Sequence, residues 1–210
     1  FQLYVAIADV AHYVREGTLL DDSARERGTS VYFPDRVIPM LPEALSNGIC
    51  SLNPDVERLA LVCELKFSAD GIALKHRFYN AVIRSHARLI YEDVAKWLDA
   101  PRDRLTDLQR HVLDVYDLYL ALRQQREARG ALDIETLEPR FIFNRARKIE
   151  RIEVRERNEA HKLIEECMIA ANVAAAEHLG KHGLPALYRV HDKPDPEKLI
   201  ALRQFLSELG

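Results

Sequence analysis

The most constraining feature of the sequence is a series of apolar residues at every second position over 59–67, followed by a turn sequence and a second extended segment. The alternating apolar positions are Leu59, Leu61, Cys63, Leu65 and Phe67. A period of two is typical of a strand that buries one face. Residues 68–71 read Ser-Ala-Asp-Gly, which is a turn signal, and an extended segment follows over 72–83. The pattern therefore predicts a β-hairpin with one apolar face that other elements must cover.

Two long helices are predicted to provide that cover. Apolar side chains recur at three- and four-residue spacing over 105–130 and again over 158–182, and a glycine ends each segment. Such a stripe is more often part of a core than a binding face. A last helix is predicted after Asp195, which caps it, with Pro196 at the first helical position.

Shorter elements complete the prediction. An opening strand places Leu3, Val5 and Ile7 on one face, and a short helix capped by Asp21 or Asp22 ends at Gly28. Further short elements are predicted as an ordered loop over 29–57 with one helical turn at 42–45, a helix at 91–98, and strands at 141–143, 149–154 and 185–190. The fold class is thus predicted as α+β, with antiparallel strands flanked by long helices in one unit.

Composition narrows the possible classes of protein. The 30 Lys and Arg against 33 Asp and Glu give a net charge of −3, which is not the footprint of a module that binds nucleic acid through bulk electrostatics. No apolar run reaches 18 residues, so no membrane partner is expected. Three sparse cysteines without metal-type spacing fit reduced thiols, and we expect a cytoplasmic location. A start at Phe1 within a strand, and an end after a helical pattern, predict a fragment truncated at both ends.

Few side chains suggest chemistry by themselves. His161 and Glu165 share one helix face and offer a possible zinc site, although a surface ion pair explains the same spacing. Asp9 is an acidic residue on an otherwise apolar strand and needs a partner if it is buried. Tyr32 lies in a loop between Gly28 and Pro34, where it is either a binding residue or a ring packed beneath a turn.

Five segments together carry a more specific signal. They read GTSVYFP at 28–34, LSNG at 45–48, CSLNP at 50–54, NEAHKLIEECM at 158–168 with a following Ala-Asn at 171–172, and ALYRVHDKP at 186–194. Taken together they resemble the catalytic domain of the ribonuclease II family of exoribonucleases, with the ribonuclease R type as the nearer match. The resemblance extends over nearly the whole chain and is weakest over 97–157.

The resemblance implies a partial ribonuclease II-type catalytic domain from a processive, magnesium-dependent 3′→5′ exoribonuclease. Such enzymes hydrolyse single-stranded RNA to 5′-monophosphates in a closed channel, and this segment is expected to form a wall of the channel. The acidic motif of the family would lie upstream of Phe1, so neither a catalytic residue nor a metal ligand is expected within this segment. Flanking RNA-binding domains are expected partners in the parent chain. A non-catalytic RNA-binding relative with a degenerate acidic cluster is the alternative.

The same resemblance implies several RNA-binding residues. Tyr32 would stack on a base near the 3′ end of the RNA. Arg189 and His191, which alternate with Val190 and are predicted to share one strand face, would meet phosphates, with a surface ion pair as the alternative. Glu166 and Asn172 would line the chamber or merely cap and solvate, and Asp9 would support the site without binding metal.

Overall fold

The computed structural model describes residues 1–133, 138–155 and 157–209. In chain order its strands are β1 (Gln2–Ala8), β2 (Val31–Tyr32), β3 (Val37–Ile38), β4 (Glu57–Phe67), β5 (Ala73–Arg84), β6 (Glu138–Phe143) and β7 (Ile149–Arg155). The α-helices are α1 (Val10–Tyr13), α2 (Leu19–Arg27), α3 (Tyr91–Leu98), α4 (Asp107–Ala128), α5 (Glu159–Lys181) and α6 (Pro196–Leu209). A π-helical segment spans Ala44–Ile49, and a 3₁₀ turn spans Arg102–Arg104.

The predicted β-hairpin is confirmed and forms two strands of a three-stranded antiparallel sheet in the order β1-β4-β5. Residue Cys63 of β4 lies opposite Val5 of β1 and Phe78 of β5, and this register puts the alternating apolar residues on one face. Two further ribbons, β2-β3 and β6-β7, are each antiparallel pairs. The predicted α+β class is therefore confirmed.

The apolar face of the sheet packs against α4 and α5, as the helical periodicity predicted. The buried core consists of Leu3, Cys63, Leu65 and Phe67 from the sheet with Leu118, Tyr119, Leu122, Leu163, Cys167, Ala171 and Ala174 from the helices. Burial raises the pKa of the Cys167 thiol to about 11, so this thiol stays protonated and acts as a small apolar core residue.

The turn of the hairpin lies directly against α4. Gly71 adopts φ +78°, and a Cβ atom added there would lie 2.8 Å from the carbonyl carbon and oxygen of Ala121. Gln125 Nε2 donates a 2.9 Å hydrogen bond to the carbonyl of Asp70 in the same turn. Only glycine combines this left-handed conformation with so close a backbone approach.

The predicted ends of two helices are confirmed at two positions and wrong at one. The side chain of Asp195 accepts a 2.9 Å hydrogen bond from the Glu197 amide at the start of α6, as predicted. The cap of α2 is Thr18 instead of Asp21 or Asp22, because the helix begins a few residues earlier than the acidic pair indicated. Gly28 ends α2 with φ +70°, as predicted.

Two regions of the prediction are wrong. The segment 29–57 was predicted as a loop with one helical turn, but it contains the β2-β3 ribbon and the π-helical segment. The strand predicted at 185–190 is absent, because none of the described residues offers this segment a backbone partner, and a strand exists only when it is paired.

The contacts within the chain define two compact units, Phe1–Ala174 and Ala175–Gly210. The second unit contains the end of α5, an extended segment over 184–195, and α6. Among the described residues, no helix has the length and apolar character that crossing a bilayer requires.

Candidate nucleic-acid interface

Tyr32 is presented on the surface by the β2-β3 ribbon. Its Cα pairs with that of Val37, and the amide of Phe33 donates a 2.8 Å hydrogen bond to the carbonyl of Arg36, which closes the turn. The Tyr32 side chain is 77% exposed and has no hydrogen-bond partner in the part of the chain that the structure describes. The ring is therefore not packed beneath the turn, and its flat face is available for stacking.

Three contacts hold this ribbon in place. At its base, Arg27 Nη1 donates to the carbonyl of Pro39 at 3.1 Å, and the Met40 amide donates to Ser30 Oγ at 2.9 Å. At its tip, Arg147 Nη2 forms an ion pair with Asp35. Arg147 belongs to the turn between β6 and β7, so this ion pair connects two hairpins that are more than a hundred residues apart in sequence.

The positive charge beside Tyr32 is partly neutralised. Arg25 pairs with Asp21 at 3.1 Å within α2, and Arg147 is occupied by Asp35. Arg36 lies over the Phe33 ring at 5.3 Å and makes no ion pair with the described residues. Arg27 also makes no ion pair with the described residues, because its guanidinium donates to the neutral carbonyl of Pro39. The surface around Tyr32 thus combines an exposed ring with two guanidinium groups that no described carboxylate neutralises, a combination suited to a base and its phosphate.

Asp9 has the partners that its position requires, but it does not lie on the strand. β1 ends at Ala8, and the Asp9 carboxylate caps α1 by accepting from the His12 amide at 3.2 Å and from Asn80 Nδ2 at 2.7 Å. Burial, and then the negative charge of Asp9, raise the pKa of the Cys50 thiol. The CSLNP segment therefore lies near the end of β1, and Asp9 has a structural role there.

Glu166 faces the interface between α4 and α5. Its side chain is 7% exposed, and its carboxylate accepts a 2.6 Å hydrogen bond from Arg126 Nη1. Arg126 also contacts Glu165 at 3.3 Å, and Arg157 joins Glu165 to Asp133. The carboxylates of Glu166 and Glu165 raise the pKa of Arg126, which keeps the guanidinium charged. The geometry favours a structural ion-pair network at Glu166, and its contact with RNA stays a prediction.

The remaining predicted RNA-binding residues are exposed. Asn172 lies on the exposed side of α5. Arg189 and His191 lie in the extended segment of the second unit, so the argument that they share a strand face is wrong. Arg189 makes no ion pair within the described ranges, which leaves its guanidinium accessible. The RNA-binding roles of all three stay predictions.

The His161–Glu165 pair does not form a metal site. The His161 ring stacks on Tyr91 with centroids 3.9 Å apart, and its Nδ1 lies 2.7 Å from Asn158 Oδ1. Glu165 is occupied by Arg126 and Arg157. Within 1–133, 138–155 and 157–209, no group of three or more His, Cys, Asp or Glu side chains is arranged to hold a metal ion. The described residues therefore supply no cluster of three or more carboxylates for a magnesium ion.

Sequence reasoning missed a polar cluster on the sheet face that points away from α4 and α5. Glu64 is buried there beside Arg77, Tyr79 and Tyr4, although it stands in the alternating segment that identified the hairpin. The available signal was the alternation itself, since Glu64 occupies a position between the core residues. Its partners depend on the strand register, which the sequence alone does not show.

Comparison with known proteins identifies the class. The family model described as "RNB domain" matches residues 1–209. The chain therefore belongs to the RNB domain family.

Particular relatives are ribonucleases R. The chain is 53% identical over 213 aligned residues to ribonuclease R of Escherichia coli K12 and 44% identical to that of Thermotoga maritima. The alignments cover the whole of this chain but only 26% and 30% of the length of those two relatives. The structure of Mycoplasma genitalium RNase R in complex with ribose-methylated single-stranded RNA matches all of the chain and 33% of that protein, with a TM-score of 0.91 and 35% identity.

More distant structures share the fold alone. A structure of the Dss1 exoribonuclease from Candida glabrata matches with a TM-score of 0.81 at 18% identity. Yeast Ssd1, described as a pseudonuclease, matches with a TM-score of 0.77 at 19% identity. The predicted family is confirmed, and the fold occurs in both a nuclease and a pseudonuclease, so the fold does not by itself decide catalysis.

Proposed function

We propose that this chain is part of the catalytic domain of a processive 3′→5′ exoribonuclease of the ribonuclease R type. The parent protein hydrolyses single-stranded RNA to 5′-monophosphates in the cytoplasm, and this part forms a wall of the RNA channel. The observation that carries the proposal is the 53% identity to a ribonuclease R over the whole chain. The likeness to an RNase R structure that contains single-stranded RNA supports it.

In this proposal the parent enzyme depends on magnesium, which activates water and stabilises the leaving oxygen. The ligands belong to parts of the parent outside this segment, because the described residues contain no suitable carboxylate cluster. The residues of this chain bind and orient the RNA. Flanking domains of the parent would supply further RNA contacts.

Tyr32 is the residue to which this function most directly assigns a role in RNA binding. Its exposed ring stacks on a base near the 3′ end, and the ion pair between Asp35 and Arg147 fixes the ribbon that carries it. Stacking tolerates every base, as a general RNA-degrading enzyme requires, and one base–aromatic stack contributes roughly 1–3 kcal/mol. Such a stack matters most when the RNA is short and makes few other contacts.

The test is a comparison of Tyr32→Ala, Tyr32→Phe and wild-type parent protein on a uniform single-stranded RNA. We expect Tyr32→Ala to degrade long RNA at nearly the wild-type rate but to release longer end products, because roughly 5- to 150-fold of the affinity for short RNA is lost. Tyr32→Phe keeps the ring and should match the wild type. End products are measured on a sequencing gel, and unchanged product length for Tyr32→Ala would show that the ring does not bind RNA.

The second candidate is a non-catalytic RNA-binding relative, because the same fold also occurs in the pseudonuclease Ssd1. The two candidates differ in one measurement on the wild-type parent. The enzyme degrades RNA with magnesium and stops when a chelator is added, whereas the non-catalytic relative binds the same RNA and leaves it intact under both conditions.

A further inference from the structure

A second exposed surface combines aromatic rings with positive charge. It is the face of the β1-β4-β5 sheet opposite the α4 and α5 helices, and we call its polar part the outer face. Its residues are Gln2, Tyr4, Glu64, Lys66, Lys75, Arg77 and Tyr79. The strand register brings them into adjacent rows, because Lys66 lies between Gln2 and Lys75, and Glu64 lies between Tyr4 and Arg77.

Glu64 organises this face. Its side chain is 7% exposed, and its carboxylate accepts hydrogen bonds from Arg77 Nε at 2.6 Å, Gln2 Nε2 at 2.9 Å and Tyr79 Oη at 3.4 Å. The hydrogen bond from Arg77 holds the pKa of Glu64 below its ordinary value. Arg77 in turn lies 5.0 Å from the centroid of the Tyr79 ring. The guanidinium is therefore held against the sheet instead of moving freely in solvent.

The outer face is positively charged although the chain as a whole carries −3. Glu64 neutralises Arg77, and Lys66 and Lys75 make no ion pair with any residue that the structure describes. A surface hollow of about 210 Å³ lies between these side chains. A water molecule occupies about 30 Å³ of liquid volume, so the hollow has room for a phosphate group with part of its hydration.

We propose that the outer face is a second contact surface for single-stranded RNA, in which Lys66 and Lys75 bind backbone phosphates and the Tyr4 ring stacks on a base. The proposal rests on the proposed function for the identity of the polymer. The Tyr4 side chain is 55% exposed, and its hydroxyl is tied to Gln2 Nε2, which orients the ring beside the lysines. Lysines supply sequence-independent affinity, and an aromatic ring supplies a platform for any base.

Charge is what selects RNA as the occupant. The two unpaired ammonium groups lie on neighbouring strands, and the one carboxylate among the seven residues is neutralised by its ion pair with Arg77. A polyanion with exposed bases fits both the lysines and the ring. Glu64 acts as a positioning residue in this arrangement, since it fixes Arg77 without facing solvent.

The experiment measures binding of a fluorescently labelled single-stranded RNA to the full-length parent protein, with chelator present to prevent degradation. Affinity is measured over a range of salt concentrations for the wild type, for Lys66→Ala with Lys75→Ala, and for Lys96→Ala with Lys198→Ala as a control with the same change of charge. Losing two phosphate contacts should lower the salt slope by about 1.4, because each contact on a single strand contributes about 0.7. The control should keep the wild-type slope.

Tyr4 provides an independent measurement. Tyr4→Ala should weaken binding by roughly 5- to 150-fold with an unchanged salt slope, whereas Tyr4→Phe should bind like the wild type, because stacking needs the ring and not the charge. The proposal is overturned if the Lys66 and Lys75 variant matches its control. It is also overturned if that variant loses thermal stability without a change of slope, which would mean that an acidic surface of the parent covers this face.

The wild-type protein separates the two hypotheses. If it degrades RNA with magnesium while the Lys66 and Lys75 variant behaves like the control, the outer face is not an RNA contact and the proposed function stands. If the wild type neither degrades nor binds RNA, the proposed function and this inference both fail. If the wild-type parent binds RNA without degrading it, and the Lys66 and Lys75 variant has a lower salt slope than the wild type, the outer face is supported as an RNA contact and the proposed function is not.

Discussion

The contact between the hairpin turn and α4 allows a sharp prediction, because the chain contains a matched pair of glycines. Gly71 and Gly130 have nearly the same backbone conformation, with φ +78° and φ +76°. A Cβ atom at Gly71 would lie 2.8 Å from the carbonyl group of Ala121 and 3.0 Å from the Leu122 nitrogen, whereas at Gly130 it would meet no atom of the described residues within 4 Å. Comparing Gly71→Ala with Gly130→Ala therefore separates the cost of the conformation from the cost of the collision.

The magnitudes follow from these two environments. A left-handed conformation costs alanine about 1–2 kcal/mol, and the reduced freedom of the unfolded chain offsets about 0.4–1 kcal/mol of this. Both substitutions share that net cost. Gly71→Ala must also displace backbone atoms of α4, which cannot rotate away as a side chain does, and overpacking of this kind costs about 1–3 kcal/mol. We expect Gly71→Ala to be less stable than Gly130→Ala by about 1–3 kcal/mol.

The difference is large enough to measure. For a chain of this size, 1 kcal/mol corresponds to about 2–4 °C, so the melting temperatures of the two variants should differ by about 2–12 °C. Urea unfolding followed by circular dichroism should show the same order, with a lower midpoint for Gly71→Ala at an unchanged slope. Equal melting temperatures would refute the argument that the turn is pressed against the α4 backbone.

Three further predictions concern function. The isolated 210-residue chain should hydrolyse no RNA at any magnesium concentration, and robust chelator-sensitive exonuclease activity from uncontaminated material would contradict the proposal that the metal ligands lie outside this segment. Arg147→Ala in the parent should lengthen the end products as Tyr32→Ala does, because the ribbon loses its anchor at Asp35, and Arg147→Asp combined with Asp35→Arg should restore them in the same gel assay. Arg189→Ala should lower the salt slope of single-stranded RNA binding by about 0.7, or one phosphate contact; an unchanged slope would exclude that contact.

Much of the fold was accessible from the sequence because local patterns carried it. The alternation from Leu59 to Phe67 specified a strand with one buried face, and the turn signal that ends in Gly71 specified the hairpin. The spacing of apolar residues specified α4 and α5. These patterns work because burial of one face imposes the period of the element on the sequence itself. The strand at 185–190 failed for the complementary reason, since an extended segment needs a partner that lies elsewhere in the chain.

The candidate site was less accessible. The family motifs predicted Tyr32 as a stacking residue, and that role stays a prediction. The ribbon that presents it depends on the pairing with Val37 and on an ion pair from a turn more than a hundred residues away. Glu166 belongs to a matching motif as well, yet the structure turns it toward Arg126. A sequence motif does not show whether a carboxylate faces a ligand or a neighbouring helix.

What the sequence by itself determined is the hairpin, the long helices and the family, because periodicity, turn residues and family motifs are all written in consecutive residues. Only the tertiary structure decided the environment of each polar side chain. Glu64 is the clearest example, because the alternation places it on the face opposite the core without showing its partners, whereas strand pairing surrounds it with Gln2 and Arg77 and buries it. Burial of a charge depends on groups brought from distant parts of the chain, and the free energy of that burial is set by the partners that the fold assembles.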